Sequence, residues 1–338
     1  MEILDGAIVT KKKILVTRQA FPEIIDWLRE RFEVEHNQET DEQWSQDEFR
    51  RRLAGMDGAL TAGNDRVDAP LLDALPQLRA VCNMTVGFNN FNLADMTSRG
   101  VIATNTSGTL DETTADMAWA LMLAAARRVT ESERWLRAGH WKGWKNSQFL
   151  GQDVHGATLG IVGMGNIGRA VARRARGFSM KVIYNNRNRV SPEIERELGV
   201  SYMGLDELLA ESDFVSVHVP YYPEAHHLID ARRIALLKPT AIVVNTARGG
   251  IIDDAALIEA LKAGRIAGAG LDVFEGEPAF NPGFTSLDNV ALAPHIGSAT
   301  RATRMRMWKL GADNLVSALA GERPPNLLNP DVWERRRR

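Results

Sequence analysis

Three polar residues that could act together on a carbonyl group each follow a separate apolar run in the second half of the chain. They are Arg248, Glu277 and His295, and the runs before them are Ile242–Asn245, Ala267–Leu271 and Val290–Ala293. If these runs are parallel strands, their carboxyl ends lie at one edge of a sheet, which is where open α/β sheets bind ligands. The spacing therefore predicts that a cation, an acid and an imidazole lie close together at one edge of the sheet.

This set of side chains suits the reduction of a carbonyl by hydride, which leaves negative charge on the oxygen. A protonated His295 could donate to that oxygen, because imidazole titrates near neutral pH. Glu277 could accept from the other ring nitrogen, although Glu275 is an adjacent rival. Arg248 could clamp a substrate carboxylate or polarise the carbonyl. Taken singly, each has a structural alternative: His295 could be a turn residue, Glu277 an exposed acid and Arg248 a salt-bridge partner.

A glycine turn indicates the hydride source. Gly163-Met164-Gly165-Asn166-Ile167-Gly168 follows the apolar run Ala157–Val162 and precedes a helical pattern. The first glycine permits the turn, the second lets backbone approach a pyrophosphate, and the third lets the helix pack on the strand. We therefore expect Gly163, Gly165, Asn166, Ile167 and Gly168 to bind a dinucleotide.

The end of the next strand indicates which dinucleotide. NAD-binding units place an acid there for the ribose 2′-hydroxyl, whereas this chain reads Asn185-Asn186-Arg187-Asn188-Arg189. A guanidinium can hold a 2′-phosphate through charge-assisted bonds. We therefore predict NADP(H), with NAD(H) as the weaker cofactor, and Asn186, Arg187 and Arg189 as its contacts. The alternative is a solvated basic loop.

Length and composition restrict the class of protein. The 338 residues suit two domains. The net charge of −2 argues against a nucleic-acid binder, and the basic tail Arg335–Arg338 is expected to be disordered. Cys82 is the only cysteine, which excludes an internal disulfide and a cysteine zinc cluster.

His226 and His227 are expected to be structural, with no metal. The N-terminal residues lack a signal-peptide pattern and no apolar run is long enough to span a membrane, so we expect a cytoplasmic protein without a membrane partner.

Short apolar runs alternate with helical patterns along nearly the whole chain, which predicts α/β structure with parallel sheets. Before the glycine turn the expected strands are Lys13–Thr17, Glu33–His36, Gly58–Thr61, Arg79–Cys82 and Val101–Thr104. After it they are Leu159–Val162, Val182–Tyr184, Phe214–Val217, Ile242–Asn245, Ala267–Leu271 and Val290–Ala293. Long helices are expected over 112–138 and 299–320. His218 ends a strand on the cofactor side, where it either touches the adenosine half or is structural.

Four segments together resemble the D-2-hydroxyacid dehydrogenase family. They are the glycine turn, Asn245–Gly249, Gly270–Pro278 and Pro294–Thr300, and the similarity runs from Lys13 to Leu328. The resemblance implies catalytic roles for Arg248, Glu277 and His295. It implies that Asp272 meets the nicotinamide end, and that the backbone N–H groups of Val86 and Gly87 bind the substrate carboxylate together with Arg248. The remaining expected cofactor contacts are His218, Pro220, Thr246, Ala247 and Gly297.

The resemblance also implies a domain layout and an activity. Residues 1–108 and 298–338 would form a flavodoxin-like substrate-binding domain, and residues 109–297 an NAD(P)-binding Rossmann domain, each a doubly wound parallel sheet, with the active site in an interdomain cleft. Members are usually homodimers built on the helix after residue 112. Trp141 and Trp144 would either reach the partner's active site or pack as ordinary aromatics.

The chain looks most like the glyoxylate/hydroxypyruvate reductases and the 2-ketogluconate reductases of that family. The expected activity is NADPH-dependent reduction of glyoxylate, hydroxypyruvate or 2-ketogluconate to D-2-hydroxyacids. A phosphoglycerate dehydrogenase-like enzyme is one alternative. A dinucleotide-sensing protein of the corepressor type, without catalysis, is another, although the intact Arg, Glu and His set disfavours it.

Overall fold

The computed structural model describes residues 3–4, 7–8, 11–40 and 42–337. Its strands are β1 Ile3–Leu4, β2 Ala7–Ile8, β3 Lys13–Val16, β4 Glu33–His36, β5 Gly58–Thr61, β6 Ala80–Asn83, β7 Ile102–Thr104, β8 Thr158–Val162, β9 Lys181–Asn185, β10 Val200–Tyr202, β11 Phe214–Val217, β12 Ile242–Asn245, β13 Gly268–Leu271 and β14 Val290–Leu292. Its α-helices are α1 Pro22–Arg29, α2 Gln46–Leu53, α3 Ala69–Asp73, α4 Leu93–Ser98, α5 Asp111–Ala126, α6 Val129–Arg137, α7 Asn166–Ala175, α8 Pro192–Leu198, α9 Leu205–Glu211, α10 Ala231–Ile234, α11 Asp254–Lys262 and α12 Arg301–Ala320.

The chain folds into two compact units. One comprises Met1–Leu110 and Thr300–Arg338, and the other Asp111–Ala299. The first unit contains a five-stranded parallel sheet in the order β4-β3-β5-β6-β7. Side chains alternate across it, so Ile14 and Val16 pack under α1 and α12, whereas Leu15 packs under α2 and α3. The apolar strands are thus covered on both faces, as parallel sheets require.

The second unit contains a seven-stranded sheet in the order β10-β9-β8-β11-β12-β13-β14, with every pair parallel. Helices α5 and α7 cover one face, and α9 to α11 cover the other. The strand order reverses between β8 and β11, because the chain runs outward from β8 to β10 and then returns to start again at β11. Such a reversal is the position where doubly wound sheets bind dinucleotides.

The long helix expected over 112–138 is in fact two helices. The chain leaves α5 after Ala126 and starts α6 at Val129, because Arg128 adopts a left-handed conformation with φ of 51°. A bidentate pair with Glu131, at 2.7 Å for both bonds, holds that turn. The prediction of one continuous helix was therefore wrong, although Ala115, Ala118, Trp119, Leu121 and Met122 are buried.

The basic C-terminal segment is ordered, contrary to the expectation of a disordered tail. Residues Pro330–Arg335 form a 3-10 helix. Beyond it, the Arg337 guanidinium donates to the Leu75 and Leu78 carbonyls at 2.7 and 3.0 Å. These two carbonyl acceptors, in the turn between α3 and β6, explain the order, which composition alone does not predict. Arg338, and Met1, Glu2 and Asp5 at the other end, lie outside the described residues. No helix within the described ranges is both long and apolar enough to cross a membrane.

Candidate active site

The glycine turn after β8 has room for a ligand at one glycine and for nothing at the other two. Gly163 has φ of 104°, and a Cβ there would lie 2.7 Å from the carbonyl carbon of His218. A Cβ on Gly168 would lie 2.1 Å from the Gly163 oxygen. A Cβ on Gly165, by contrast, would meet nothing within 4 Å. The backbone is thus packed tightly beneath the turn and open above Gly165.

Helix α7 starts directly at this open space. Gly165 is its N-cap and supplies no side-chain cap, so the N–H groups of the first turn, which starts with Asn166 and Ile167, point at the opening. At the end of β12, the hydroxyl of Thr246 is buried and lacks a hydrogen-bond partner among the described residues. Free amides at a helix start and an unpaired buried hydroxyl both fit a bound pyrophosphate nucleotide.

His218, at the end of β11, is held as a neutral ring. Its Nε2 lies 2.8 Å from the Ser216 hydroxyl, and its Nδ1 is buried without a partner among the described residues. Burial lowers the pKa of His218 to about 3. It can therefore offer a ligand one neutral ring nitrogen. Pro220, two residues further on, is exposed.

The residues after β9 do not act as one basic cluster. Asn186 accepts from the backbone N–H of Met164 at 3.4 Å, so it supports the glycine turn. Arg189 forms a bidentate pair with Glu195 of α8, with both bonds at 2.8 Å. Arg187 instead stacks its guanidinium over the Tyr222 ring, 4.8 Å from the centroid.

The turn that carries Arg248 is fixed by the last residue of β12. Asn245 accepts from the N–H of Ala247 through Oδ1 and donates to the Arg248 carbonyl through Nδ2, each at 3.0 Å. The following Gly249 lies so close to the next loop that a Cβ would be 1.9 Å from the Phe274 oxygen. Burial lowers the pKa of Arg248, and the charge of Glu277 opposes that effect.

The turn that carries His295 is fixed by Asp272, the first residue after β13. Asp272 is buried and accepts from the N–H groups of Ile296 and Gly297, both at 2.7 Å. Its backbone oxygen accepts from the N–H of His295 at 2.9 Å. His295 itself has φ of 53°, a conformation that non-glycine residues adopt rarely. Burial raises the pKa of Asp272, although these amide bonds oppose the rise.

Glu277 and His295 form a directly bonded pair. The Nδ1 of His295 lies 2.6 Å from Oε1 of Glu277, and the other carboxylate oxygen accepts from the N–H of Phe274 at 3.2 Å. Burial raises the pKa of Glu277, but its bond to His295 and the charges of His295 and Arg248 outweigh this and leave the pKa below its ordinary value. An ionised Glu277 keeps a proton on Nδ1, so Nε2 is the nitrogen left for a substrate.

The rival acid, Glu275, faces elsewhere. Its Oε1 lies 3.0 Å from Nε2 of His227, and its backbone N–H donates to the buried Asp254 at 2.9 Å. Ligand atoms of His226, His227 and Glu275 lie within 4.8 Å of one another, the one such group within the described residues. The His227–Glu275 bond and a ring stack between the two histidines, with 3.9 Å between ring centroids, hold this cluster together.

The loop expected to bind a carboxylate lies in the other unit, after β6, and its carbonyls are already occupied. The Val86 oxygen accepts from Asn105 at 2.7 Å, and the Gly87 oxygen accepts from Asn83 and Thr85, both at 2.8 Å. Among the described residues, the N–H groups of Val86 and Gly87 have no acceptor. Amides held in place by their own carbonyls suit an anionic ligand.

Several contacts that shape this site gave no sequence signal of their own. Asn245 holds the loop of Arg248, and Asp254 holds the loop of Glu277. Glu195 binds Arg189, whereas Tyr222 contacts Arg187. Asn245 could have been found, because an Asn that ends a strand before a turn commonly bonds the backbone two residues on. Trp141 and Trp144 are exposed, at 59% and 81%.

A parallel doubly wound sheet with a glycine turn at its switch point, and a paired imidazole and carboxylate beside a guanidinium, defines an NAD(P)-binding oxidoreductase. Residues 119–297 match the model of the D-isomer specific 2-hydroxyacid dehydrogenase NAD-binding domain. The chain belongs to the D-2-hydroxyacid dehydrogenase family.

Relatives in this family are similar over nearly the full length. The glyoxylate reductase of Thermococcus onnurineus is 49% identical over 95% of this chain and 97% of its own. That of Thermococcus gammatolerans is 48% identical, again over 95% and 97%. The structure of an NADPH-dependent glyoxylate/hydroxypyruvate reductase from Sinorhizobium meliloti, in complex with NADP and malonate, superposes with a TM-score of 0.86 at 32% identity, over 97% of this chain and 99% of the other.

Proposed function

We propose that this enzyme uses NADPH to reduce small 2-oxoacids, with glyoxylate, hydroxypyruvate and 2-ketogluconate as the leading substrates, to D-2-hydroxyacids. The observation that supports this proposal most strongly is the 2.6 Å hydrogen bond between Glu277 and His295. The charge of Arg248 also acts on Glu277 and helps to lower its pKa. Relatives named glyoxylate reductase support the choice of substrate.

In this proposal each side chain has one role. The nicotinamide supplies the hydride when it is bound. His295 donates the proton from Nε2 to the carbonyl oxygen, and Glu277 orients the ring and stabilises its charge. Arg248 binds the substrate carboxylate. Asp272 holds the His295 turn, and its contact with the nicotinamide end stays a prediction.

The proposed dinucleotide contacts are the predicted ones without Arg189, whose guanidinium is already paired with Glu195. They are Gly163, Gly165, Asn166, Ile167, Gly168, Asn186, Arg187, His218, Pro220, Thr246, Ala247 and Gly297. Arg187 favours NADPH over NADH, since no acid stands at the end of β9 to bind a 2′-hydroxyl. In the domain layout we propose, the unit with Val86 binds substrate and the unit with Gly163 binds the nucleotide.

We further propose that the protein is a homodimer. Five large apolar side chains on α6 and the segment after it are exposed: Val129, Leu136, Trp141, Trp144 and Leu150. A second copy of this chain would cover these side chains and remove them from water. Light scattering after size exclusion tests this. The expected cytoplasmic location is also part of the proposal, and cell fractionation tests it.

The activity is tested by following NADPH and NADH oxidation with the three oxoacids. We expect turnover with at least one, and a higher kcat/KM with NADPH. His295→Ala should lower kcat by about 100-fold or more while substrate KM changes little, because general acid catalysis contributes on that scale. An enzyme that binds NADPH but turns over none of the three would refute the proposal.

A further inference from the structure

The two arginines after β9 differ in what already binds them. Arg189 presents Nε and Nη2 to both oxygens of Glu195, at 2.8 Å each. This is the parallel two-bond geometry in which a guanidinium and a carboxylate interact most strongly. Two of the donors with which Arg189 could grip a phosphate are therefore already used.

Glu195 is itself held in place, so this pair is a fixed part of the loop. The Tyr184 hydroxyl donates to its Oε1 at 2.7 Å, and the same hydroxyl accepts from the N–H of Val190 at 3.1 Å. The Glu195 side chain is only 12% exposed. Its bonds to Arg189 and then Tyr184 lower the pKa of Glu195 to about 2, so it carries its charge throughout the working pH range.

Arg187 is in the opposite situation. Its side chain is exposed, and within the described part of the chain no carboxylate lies at ion-pair distance from it. Its guanidinium lies over the Tyr222 ring, with 4.8 Å between the central guanidinium carbon and the ring centroid. The charge is thus uncompensated, and the ring limits where it can go.

The position of this stacked pair follows from the sheet order. Arg187 comes just after β9 and Tyr222 just after β11, and β8 lies between those strands. The contact therefore spans the carboxyl end of β8, where the turn from Gly163 to Gly168 begins. A cation held across this edge lies on the side of the sheet where the adenosine half of a dinucleotide binds.

We infer that Arg187 alone binds the 2′-phosphate, that Glu195 withdraws Arg189 from it, and that Tyr222 is a positioning residue for Arg187. The inference rests on the proposed preference for NADPH and deepens it. Cofactor selectivity then depends on two residues, Glu195 and Tyr222, that do not touch the phosphate.

Binding of 2′,5′-ADP and of 5′-AMP to the full chain, measured by calorimetry, isolates the 2′-phosphate without catalysis. Arg187→Gln should weaken 2′,5′-ADP by about tenfold or more, since it removes a charge-assisted contact, and leave 5′-AMP unchanged. Arg189→Gln should weaken it by less than about threefold, the effect of a charge already paired. Arg196→Gln, an exposed arginine of α8, is the matched control for a lost positive charge.

The positioning role has its own readout. Tyr222→Leu should weaken 2′,5′-ADP by about two- to fivefold, and Tyr222→Phe should retain the wild-type value, because the ring and not the hydroxyl stacks. Glu195→Gln should strengthen 2′,5′-ADP and steepen its salt dependence, because it releases the charge of Arg189. Thermal unfolding midpoints confirm that each variant is folded.

Two different failures can be told apart. If the wild type binds 2′,5′-ADP no more tightly than 5′-AMP, the proposed NADPH preference is wrong. If the wild type does prefer 2′,5′-ADP, but Arg189→Gln weakens its binding as much as Arg187→Gln does, the NADPH preference stands and the inference is overturned. Equal binding by Tyr222→Leu and wild type would remove the positioning role of Tyr222.

Discussion

Replacing Glu277 by Gln tests the proton-donor assignment most directly. Glutamine keeps the size of the side chain and can still accept from Nδ1 of His295, but it lacks the charge. The net lowered pKa of Glu277 means that the wild-type group is ionised at neutral pH, so the substitution removes a full charge 2.6 Å from the ring. We expect proton donation by His295 to slow, because the ring loses the carboxylate charge that stabilises and orients it.

The size of this effect follows from the exposure of the pair. Side chains that are 47% and 33% exposed are partly screened by water, so the pair is worth less than a buried one. A hydrogen bond to a charged group contributes about 1.5–3 kcal/mol and a neutral one about 1 kcal/mol. The difference, discounted for screening, is about 1 kcal/mol, which corresponds to about a fivefold loss of kcat/KM above neutral pH.

The assay is kcat/KM for oxoacid reduction across pH 6 to 9, at saturating NADPH. Glu275→Gln is the matched control, because the same chemical change two residues away faces His227. An unchanged kcat/KM in Glu277→Gln, or an equal loss in both variants, would refute the pairing as the basis of proton donation.

Two further predictions concern glycines and a buried acid. Gly165→Ala should raise the KM for NADPH without lowering the thermal unfolding midpoint, since the added methyl enters open space. Gly168→Ala should instead lower the midpoint, because its methyl would contact the Gly163 oxygen. Measuring the unfolding midpoint and the KM of both variants tests these expectations. Burial raises the pKa of Asp254 to about 6. Because the pKa is raised, the ionised form of Asp254 lowers the free energy of unfolding by about 3 kcal/mol above pH 6. This destabilisation disappears as the pH falls towards 4. Asp254→Asn should therefore be more stable than wild type to urea at pH 8, with a difference that disappears near pH 4; a pH-independent difference would contradict this.

The strands were predictable from sequence where apolar runs are continuous and bounded by polar residues. Phe214–Val217 and Gly58–Thr61 match to the residue, because every residue of a strand covered on both faces is buried. The edge strand Val200–Tyr202 was missed, since only its first residue is buried. The break at Arg128 was also missed, because neither glycine nor proline marks it and the apolar pattern continues past it.

The candidate site was predictable to the level of strand ends, but not to the level of partners. Spacing places Arg248, Glu277 and His295 after three strands but cannot by itself choose between Glu275 and Glu277, and only the family resemblance implied Glu277. That choice depends on the direction of two side chains on one loop. The separation of Arg187 from Arg189 was equally hidden, because the acid that takes Arg189 lies in the next helix.

The spacing of the proposed catalytic groups is set by backbone and buried acid, not by the groups themselves. Gly249 approaches the Phe274 oxygen more closely than any side chain would allow, which fixes the loop of Arg248 against the loop of Glu277. Asp272 ties the His295 turn to the end of β13 through two amide bonds at 2.7 Å. Because these anchors do not include the side chains of Arg248 and His295, those two residues can be substituted without loss of the loops that hold them, whereas the Glu277 carboxylate also accepts from the N–H of Phe274. Changes in rate at Arg248 and His295 therefore report chemistry, whereas changes at Gly249 or Asp272 report geometry.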